Sequence, residues 1–377
     1  MQVAFDTNTI LSAPGGAATY FLELLPELLK LAGEEDELYV FSADESDAEP
    51  LPFLLRDEKL HGVNAPFGKG KLWRSLRFPA VERLLKNPDF EGTLDVCHSF
   101  HPPLMPSRAT RRVLSLHALP GDGSNLPGPT RSSLAQAEIV ITPSRSLADA
   151  LLQALDASPD ARMGLENKLR VIPPAAHARY TEPPTPASVE LLCQRFPFLE
   201  EAYLLAVGAA AEPERSVPLL AQAYTQAIGE DDSLPALVFV APEENVSTVA
   251  EILAATGDVD GRLLVMEEVA TDELPALYAG SEFLLHPGFG HTFGSSVLEA
   301  ASLGIPAIVG SGAGVLEVLG SSLMVPGHDT PDSWATTMLD LHRDHERKAE
   351  RIAEAKTRAR IQTWSAVAAA HWDLYRS

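Results

Sequence analysis

SEFLLHPGFGHTFGSSVLEAASLGIPAIVG, residues 281–310, changes its pattern three times. SEFLLHP reads as the end of a β-strand, GFGHTFGSS as a turn, and SSVLEAASLG as a helix whose Val297, Leu298 and Ala301 can pack inward. PAIVG then begins another strand. A strand, a glycine-rich turn, a helix and a second strand make one unit of a parallel sheet covered by helices. Glycines in such a turn let the backbone approach a ligand, and the N–H groups from Gly294 through Ser295 and Ser296 to Val297 offer an anion site at the helix start. A diphosphate suits that site. Glu299, one turn further, can accept hydrogen bonds from sugar hydroxyls. Two plainer readings stand beside this one: such turns are common in α/β proteins, and Glu299 alone is favoured by the positive helix end.

The same alternation runs through the rest of the chain. MQVAFDTN, ELYVFSA, DVCHSF, RRVLSLHA and EIVITPS are short β-rich runs, the first and last followed by helical LSAPGGAATYFLELLPELLKLA and RSLADALLQAL. Around LRVIPPAAHARYTEPPTPAS the composition turns rich in proline and alanine, and the pattern restarts with YLLAVGAA, a helix through VPLLAQAYTQAI, ALVFVAP, RLLVMEE and FLLHPG. The predicted architecture is α/β, two doubly wound Rossmann-like domains facing each other across a cleft, with ligands beyond the carboxyl ends of the strands. The expected divisions are 1–175, 176–355 and a closing helix over 356–377.

Composition narrows the partners. The 377 residues are 45% hydrophobic and 21% charged, which is globular composition with room for two cores. A formal charge of -23 opposes nucleic acid and anionic lipid. Two cysteines, Cys97 and Cys193, are too few for a disulfide framework or a zinc site, so a cytoplasmic location is expected. The one markedly basic stretch, GKGKLWRSLRFPAVERLLK, reads as a surface helix interrupted by Pro79, which limits membrane contact to the peripheral kind. No Asp-x-Asp metal motif stands beside an apolar strand, and no carboxylate pair suggests a hydrolase.

HPGFGHTFGSSVLEAASLGIPAIVG resembles the donor-binding segment of family 4 glycosyltransferases of the GT-B fold, the glycosyl transferase group 1 type. The resemblance continues through APGGAATYFLELLPELL, LDVCHSFHPPLMP, RRVLSLHALP, SSLAQAEIVITPSRSLADAL, LRVIPPAAHARY, YLLAVGAAAEPERSVPLLAQAY and DELPALYAGSEFLLHP, to a closing TWSAVAAAHWDLYR that crosses back to the N-terminal domain. The order and spacing of these segments carry the likeness.

The resemblance implies roles. Glu299 takes the acid that holds the ribose of the nucleotide. His291 replaces the acid that contacts the transferred sugar, Thr292 replaces a glycine beside it, and Phe293 and Gly294 match. An imidazole offers one donor and one acceptor in place of an acceptor-only carboxylate. Arg215 takes the place of a lysine facing the diphosphate, while Ala209 and Ala210 occupy the region of a second cation. Gly15 and Gly16 match the loop that closes on donor and acceptor. His117 matches the catalytic-side histidine that reaches the sugar; Ala118 replaces the aspartate after it. A lone histidine at a strand end is otherwise a hydrogen-bonded structural residue.

Two function classes follow. One is a retaining, metal-independent hexosyltransferase without a bound cofactor, moving a sugar from a nucleotide diphosphate sugar to a glycan or glycoconjugate acceptor as the domains close. The other is a catalytically silent relative that serves a partner glycosyltransferase, or a further copy of itself, as a binding subunit. A third, a nucleotide-sugar epimerase, is separated by isomerisation without an acceptor.

Overall fold

The computed structural model describes residues 1–7, 16–42, 57–64, 93–119, 126–155, 159–207, 213–257, 259–267, 269–289 and 292–377. The basic stretch, Gly15, His291, Ala209 and Ala210 lie outside them. Two compact units divide the chain: Met1–Pro174 with Thr363–Ser377, and Ala175–Gln362.

Unit 1 holds a parallel sheet of β1 (Gln2–Asp6), β2 (Glu37–Ser42), β3 (Leu60–Asn64), β4 (Val96–Ser99), β5 (Arg111–Ser115), β6 (Ile139–Thr142) and β7 (Leu169–Val171), in the order β3-β2-β1-β4-β5-β6-β7. Its helices are α1 (Gly16–Leu31), α2 (Gly128–Gln136), α3 (Arg145–Ala154) and α4 (Pro159–Lys168). β4 and β6 are buried along their whole length, as expected of inner strands covered on both faces.

Unit 2 repeats the plan with α5 (Pro186–Arg195), β8 (Tyr203–Val207), α6 (Pro213–Glu230), β9 (Ala236–Ala241), α7 (Glu243–Thr256), β10 (Leu263–Glu267), α8 (Leu274–Gly280), β11 (Ser281–His286), α9 (Ser295–Leu303), β12 (Ala307–Val309), α10 (Leu316–Leu319), α11 (Pro331–Arg343) and α12 (His345–Ile361). The strand order is β10-β9-β8-β11-β12, all parallel. Two apolar clusters sandwich this sheet, one around Tyr278, Val297 and Leu298, the other around Tyr224, Phe239 and Trp334. Both sheets reverse direction at a neighbouring pair, β1/β4 and β8/β11. Ligand crevices of open parallel sheets form beyond the carboxyl ends at such points.

The last helix, α13 (Trp364–Arg376), belongs to unit 1. It starts later than residue 356, because residues 356–361 continue α12, which buries Ala355 and Ala359 in the core of unit 2. α13 lies on α1: Trp372 donates its indole N–H to the Leu28 carbonyl at 3.1 Å, and Arg376 reaches Asp36 at 2.9 Å. Burial works against charge on Asp36, but the Gly33 N–H, the N-terminal ammonium and Arg376 outweigh it and hold the carboxyl below its ordinary range.

Candidate functional site

The switch point of unit 2 lies where β8 ends at Val207 and β11 ends at His286. Beyond β11 the backbone is forced by close approach. A side chain at Gly310 would put Cβ 1.8 Å from the Pro287 carbonyl oxygen, while the Gly310 N–H donates to the His286 carbonyl at 2.8 Å. Gly294 has φ 89°, a left-handed conformation, and a Cβ there would sit 3.2 Å from both His286 Nε2 and Val315 Cγ1. Two further main-chain bonds pin the turn: Gly314 N–H to the Thr292 carbonyl at 3.1 Å and Val315 N–H to the Phe293 carbonyl at 2.7 Å. Residues 287 and 292–294 are therefore held in place before any ligand arrives.

Gly294 is the N-cap of α9 and provides no side-chain cap. Val297 and Leu298 donate back to its carbonyl at 3.0 and 3.4 Å. The N–H groups of Ser295 and Ser296 precede any intrahelical acceptor and face outward at the positive end of the helix. Ser295 is exposed and Ser296 and Thr292 are half-buried. Phe293, in contrast, is buried in the core, so its ring anchors the turn and does not line it.

Two side chains flank this helix start. Arg215, exposed in the first turn of α6, stacks its guanidinium on the Phe289 ring at 4.2 Å, so the start of α6 and the chain just past β11 are joined by a cation over an aromatic face. Glu299 is half-buried in α9 and accepts a 2.9 Å hydrogen bond from the hydroxyl of Tyr278 on α8. Burial, with the Glu299 charge beside it, pushes the Tyr278 hydroxyl well above its ordinary range, so it remains a donor and fixes one carboxylate oxygen. His286 is buried against Gly294, and burial lowers it to about 4 although the Val207 main chain pulls the other way; at neutral pH it is uncharged.

In unit 1, His117 lies just past β5, half-buried and set 4.7 Å from the ring of Tyr20. Burial, and then His371, bring it down to about 4. Gly16 opens α1 and is exposed; a Cβ built there meets nothing within 4 Å, so packing inside unit 1 does not demand glycine. Tyr278, Phe289 and His286 escape the sequence reading because each becomes relevant only through a neighbour distant in the chain. Among the described residues no three His, Cys, Asp or Glu side chains converge to hold a metal ion, and no helix is long and apolar enough to cross a membrane. A depression of about 540 Å³ lined by Met324, Asp340, Arg343, Asp344, Lys348 and Arg351 lies elsewhere, and its cations are engaged with Glu282, Asp231 and the Ser321 and Leu323 carbonyls.

Residues 201–344, which hold the whole of this turn, Arg215 and Glu299, match the family described as glycosyl transferases group 1. The chain carries a glycosyl transferases group 1 domain. Relatives of that group 1 domain are curated under the name D-inositol 3-phosphate glycosyltransferase. The one from Salinispora tropica is 25% identical over 64% of this chain and 51% of its own length. The one from Xylanimonas cellulosilytica is 24% identical over 96% of this chain and 91% of its own length. With three of the curated relatives the chain spans about half of their length. Among solved structures, Anabaena Alr3699/HepE in complex with UDP and glucose superposes on the whole of both chains with a TM-score of 0.70 at 15% identity. The fold is that of the GT-B glycosyltransferases, two parallel-sheet α/β domains.

Proposed function

We propose that this protein is a hexosyltransferase that moves a sugar from a nucleotide diphosphate sugar to a glycan or glycoconjugate acceptor. It does so with retention and without a bound metal, in the cytoplasm. The observation that carries this reading is the uncapped first turn of α9, flanked by Arg215 and by a Glu299 already oriented by Tyr278. The Ser295 and Ser296 N–H groups and Arg215 would take the negative charge that builds on the departing diphosphate, the part a metal ion plays elsewhere. Glu299 would accept from the ribose hydroxyls. His117, neutral at physiological pH, would hydrogen-bond the transferred sugar. Retention and the acceptor class rest on the family resemblance.

A second reading, a silent relative that binds a nucleotide sugar or a partner glycosyltransferase without turnover, is favoured by His291 and Ala118 in place of two acids. Thermal unfolding with UDP, GDP and ADP, then with their sugar conjugates, tests the donor site. UDP comes first because the Anabaena protein is described with it. A nucleotide at 100 times its Kd adds about 2.7 kcal/mol of stability. A shift with one base, followed by sugar release from its conjugate when acceptor glycans are added, supports transfer. A shift without transfer supports the silent reading, and no shift with any base overturns the donor site.

A further inference from the structure

Unit 1 encloses a group of rings that the donor site does not use. α13 brings Trp364 and His371 to Tyr20 of α1, whose ring also meets His117 and Phe100, and brings Tyr375 to His98. His98 at the heart of it is fully paired: one ring nitrogen meets the Tyr375 hydroxyl at 2.6 Å, the other the Ser115 hydroxyl at 2.8 Å. Around Tyr20 the situation differs. Its ring lies 4.7 Å from His117, 5.1 Å from Trp364 and 5.9 Å from His371, centroid to centroid. The Tyr20 hydroxyl, His117 Nε2, Trp364 Nε1 and His371 Nε2 are all enclosed, and none has a hydrogen-bond partner among the described residues. Enclosed polar atoms are normally satisfied, so four exceptions on rings packed around one tyrosine point to a shared partner.

Their hydrogen-bonding capacities identify that partner. His371 Nδ1 lies 2.9 Å from the Val367 carbonyl, which only accepts, so Nδ1 carries the proton and Nε2 of the neutral ring only accepts. Trp364 Nε1 only donates. Tyr20 and His117 Nε2 can each do either. A water molecule accepts two hydrogen bonds and donates two. If Tyr20 and Trp364 donate to it, and it donates to His371 Nε2 and His117 Nε2, every hydrogen in the set is used. If His117 Nε2 donates instead, the Tyr20 hydroxyl proton has no acceptor. Burial supports the neutral state of both imidazoles.

We propose that Tyr20, Trp364 and His371 are positioning residues for His117, acting through an ordered water that all four coordinate, and that they hold His117 as the Nδ1–H tautomer. His117 is only half-buried as a residue, so in this tautomer its Nδ1–H is the group left for a ligand. On the transfer reading above, His117 then offers a donor to a sugar hydroxyl, and α13 becomes part of the device that aims it.

The test is long-range ¹H–¹⁵N NMR of the histidine rings in the full chain without nucleotide, His117 being assigned from the spectrum of His117→Gln. The expected wild-type pattern is a protonated, pyrrole-type Nδ1 and a pyridine-type Nε2. Tyr20→Phe removes one donor to the water and keeps the Nδ1–H tautomer, but the less polarised water donates a weaker bond to His117 Nε2, so the Nε2 resonance is expected to move further toward the free pyridine-type position. Trp364→Phe keeps the ring packing and is expected to do the same, and it serves where Tyr20→Phe does not fold. A wild-type Nε2–H tautomer, or a His117 spectrum unchanged in both variants, overturns the proposal. Because no nucleotide is present, this outcome is independent of whether the donor site binds one.

Discussion

The two sheets reverse their strand order at equivalent places, β1/β4 in unit 1 and β8/β11 in unit 2, yet the polar groups gathered near them are opposite in kind. In unit 2 they are water-facing and charged or dipolar: a bare helix start, Arg215 over Phe289, and a half-buried Glu299. In unit 1 they are neutral, aromatic and enclosed: His98 and His371 have no exposure at all. The contrast follows from what each can hold at low cost. An anionic ligand is bound best where fixed N–H dipoles meet it without a buried counter-charge, because stranding a lone charge in the interior costs several kcal/mol. Neutral imidazoles and hydroxyls tolerate burial if their hydrogen bonds are completed, and in return they are held rigidly.

Acidification is the strongest way to separate the two regions. A free histidine protonates at about 6.5, whereas His117 and His371 stay neutral down to about 4 and His98 is held well below its ordinary value, in each case chiefly through burial. The unfolded chain therefore binds more protons than the folded one between pH 6.5 and 4. Stability is full above 6.5 and falls through that window by about 1.4 kcal/mol per histidine per pH unit. Among the described residues unit 1 holds these three, whereas unit 2 holds His286, lowered to about 4, and the half-buried His177, lowered by burial and by Arg179. Hydrogen exchange read by mass spectrometry from pH 7 to 4.5 is expected to show unit 1 peptides opening first. Unit 2 opening first would break the comparison.

Gly310→Ala is the next largest change and acts on unit 2 alone. Its Cβ would land on the Pro287 carbonyl, a main-chain atom that cannot swing away. The expected loss in urea unfolding is at or beyond the top of the roughly 1–3 kcal/mol range for overpacking. A loss under 0.5 kcal/mol would mean that the strand ends are looser than described.

Smaller effects sharpen the picture of the donor side. Glu299→Ala is expected to weaken nucleotide binding by about 1.5–3 kcal/mol, the range for a hydrogen bond to a charged group. Tyr278→Phe leaves the carboxylate in place but unbraced, and about 1 kcal/mol is expected. His291→Ala, which touches the sugar end on the family resemblance, should cost the nucleotide less than Glu299→Ala. Titration calorimetry with UDP, or with whichever base shifts the melt, ranks the three; equal affinity for wild type and Glu299→Ala removes that residue from the site.

Much of this was legible in the chain and some was not, for identifiable reasons. The inner strands announce themselves as apolar runs because both faces are covered, and the turn after β11 is marked by Gly288 and Gly294, whose positive φ angles require glycine. The edge strands β3 and β7 are missed: LHGVN carries a glycine and a histidine, and LRV has three residues with Arg170 facing solvent. Edge strands need only one covered side, so their pattern is diluted. Helix α12 looks like a free charged segment until its alanines meet α9. Tyr278 reaches Glu299 only once α8 and α9, on either side of β11 in the chain, pack together, and Phe289 reaches Arg215 only once β8 and β11 lie side by side. His117 stands out as a histidine at a strand end, but its company of Tyr20, Trp364 and His371 joins three distant parts of the chain.

The placement of α13 also sets a timetable for synthesis. The indole of Trp372 closes against Leu28 across 344 positions of sequence, with all of unit 2 made in between. At about 5–20 residues per second, the ribosome needs roughly 10 to 40 s to pass from the end of the first part of unit 1 to the helix that covers α1. Throughout that interval the nascent α1 shows water, or a chaperone, the stretch from Tyr20 to Leu28 that Trp364, His371 and Trp372 later cover, while unit 2 can already be complete.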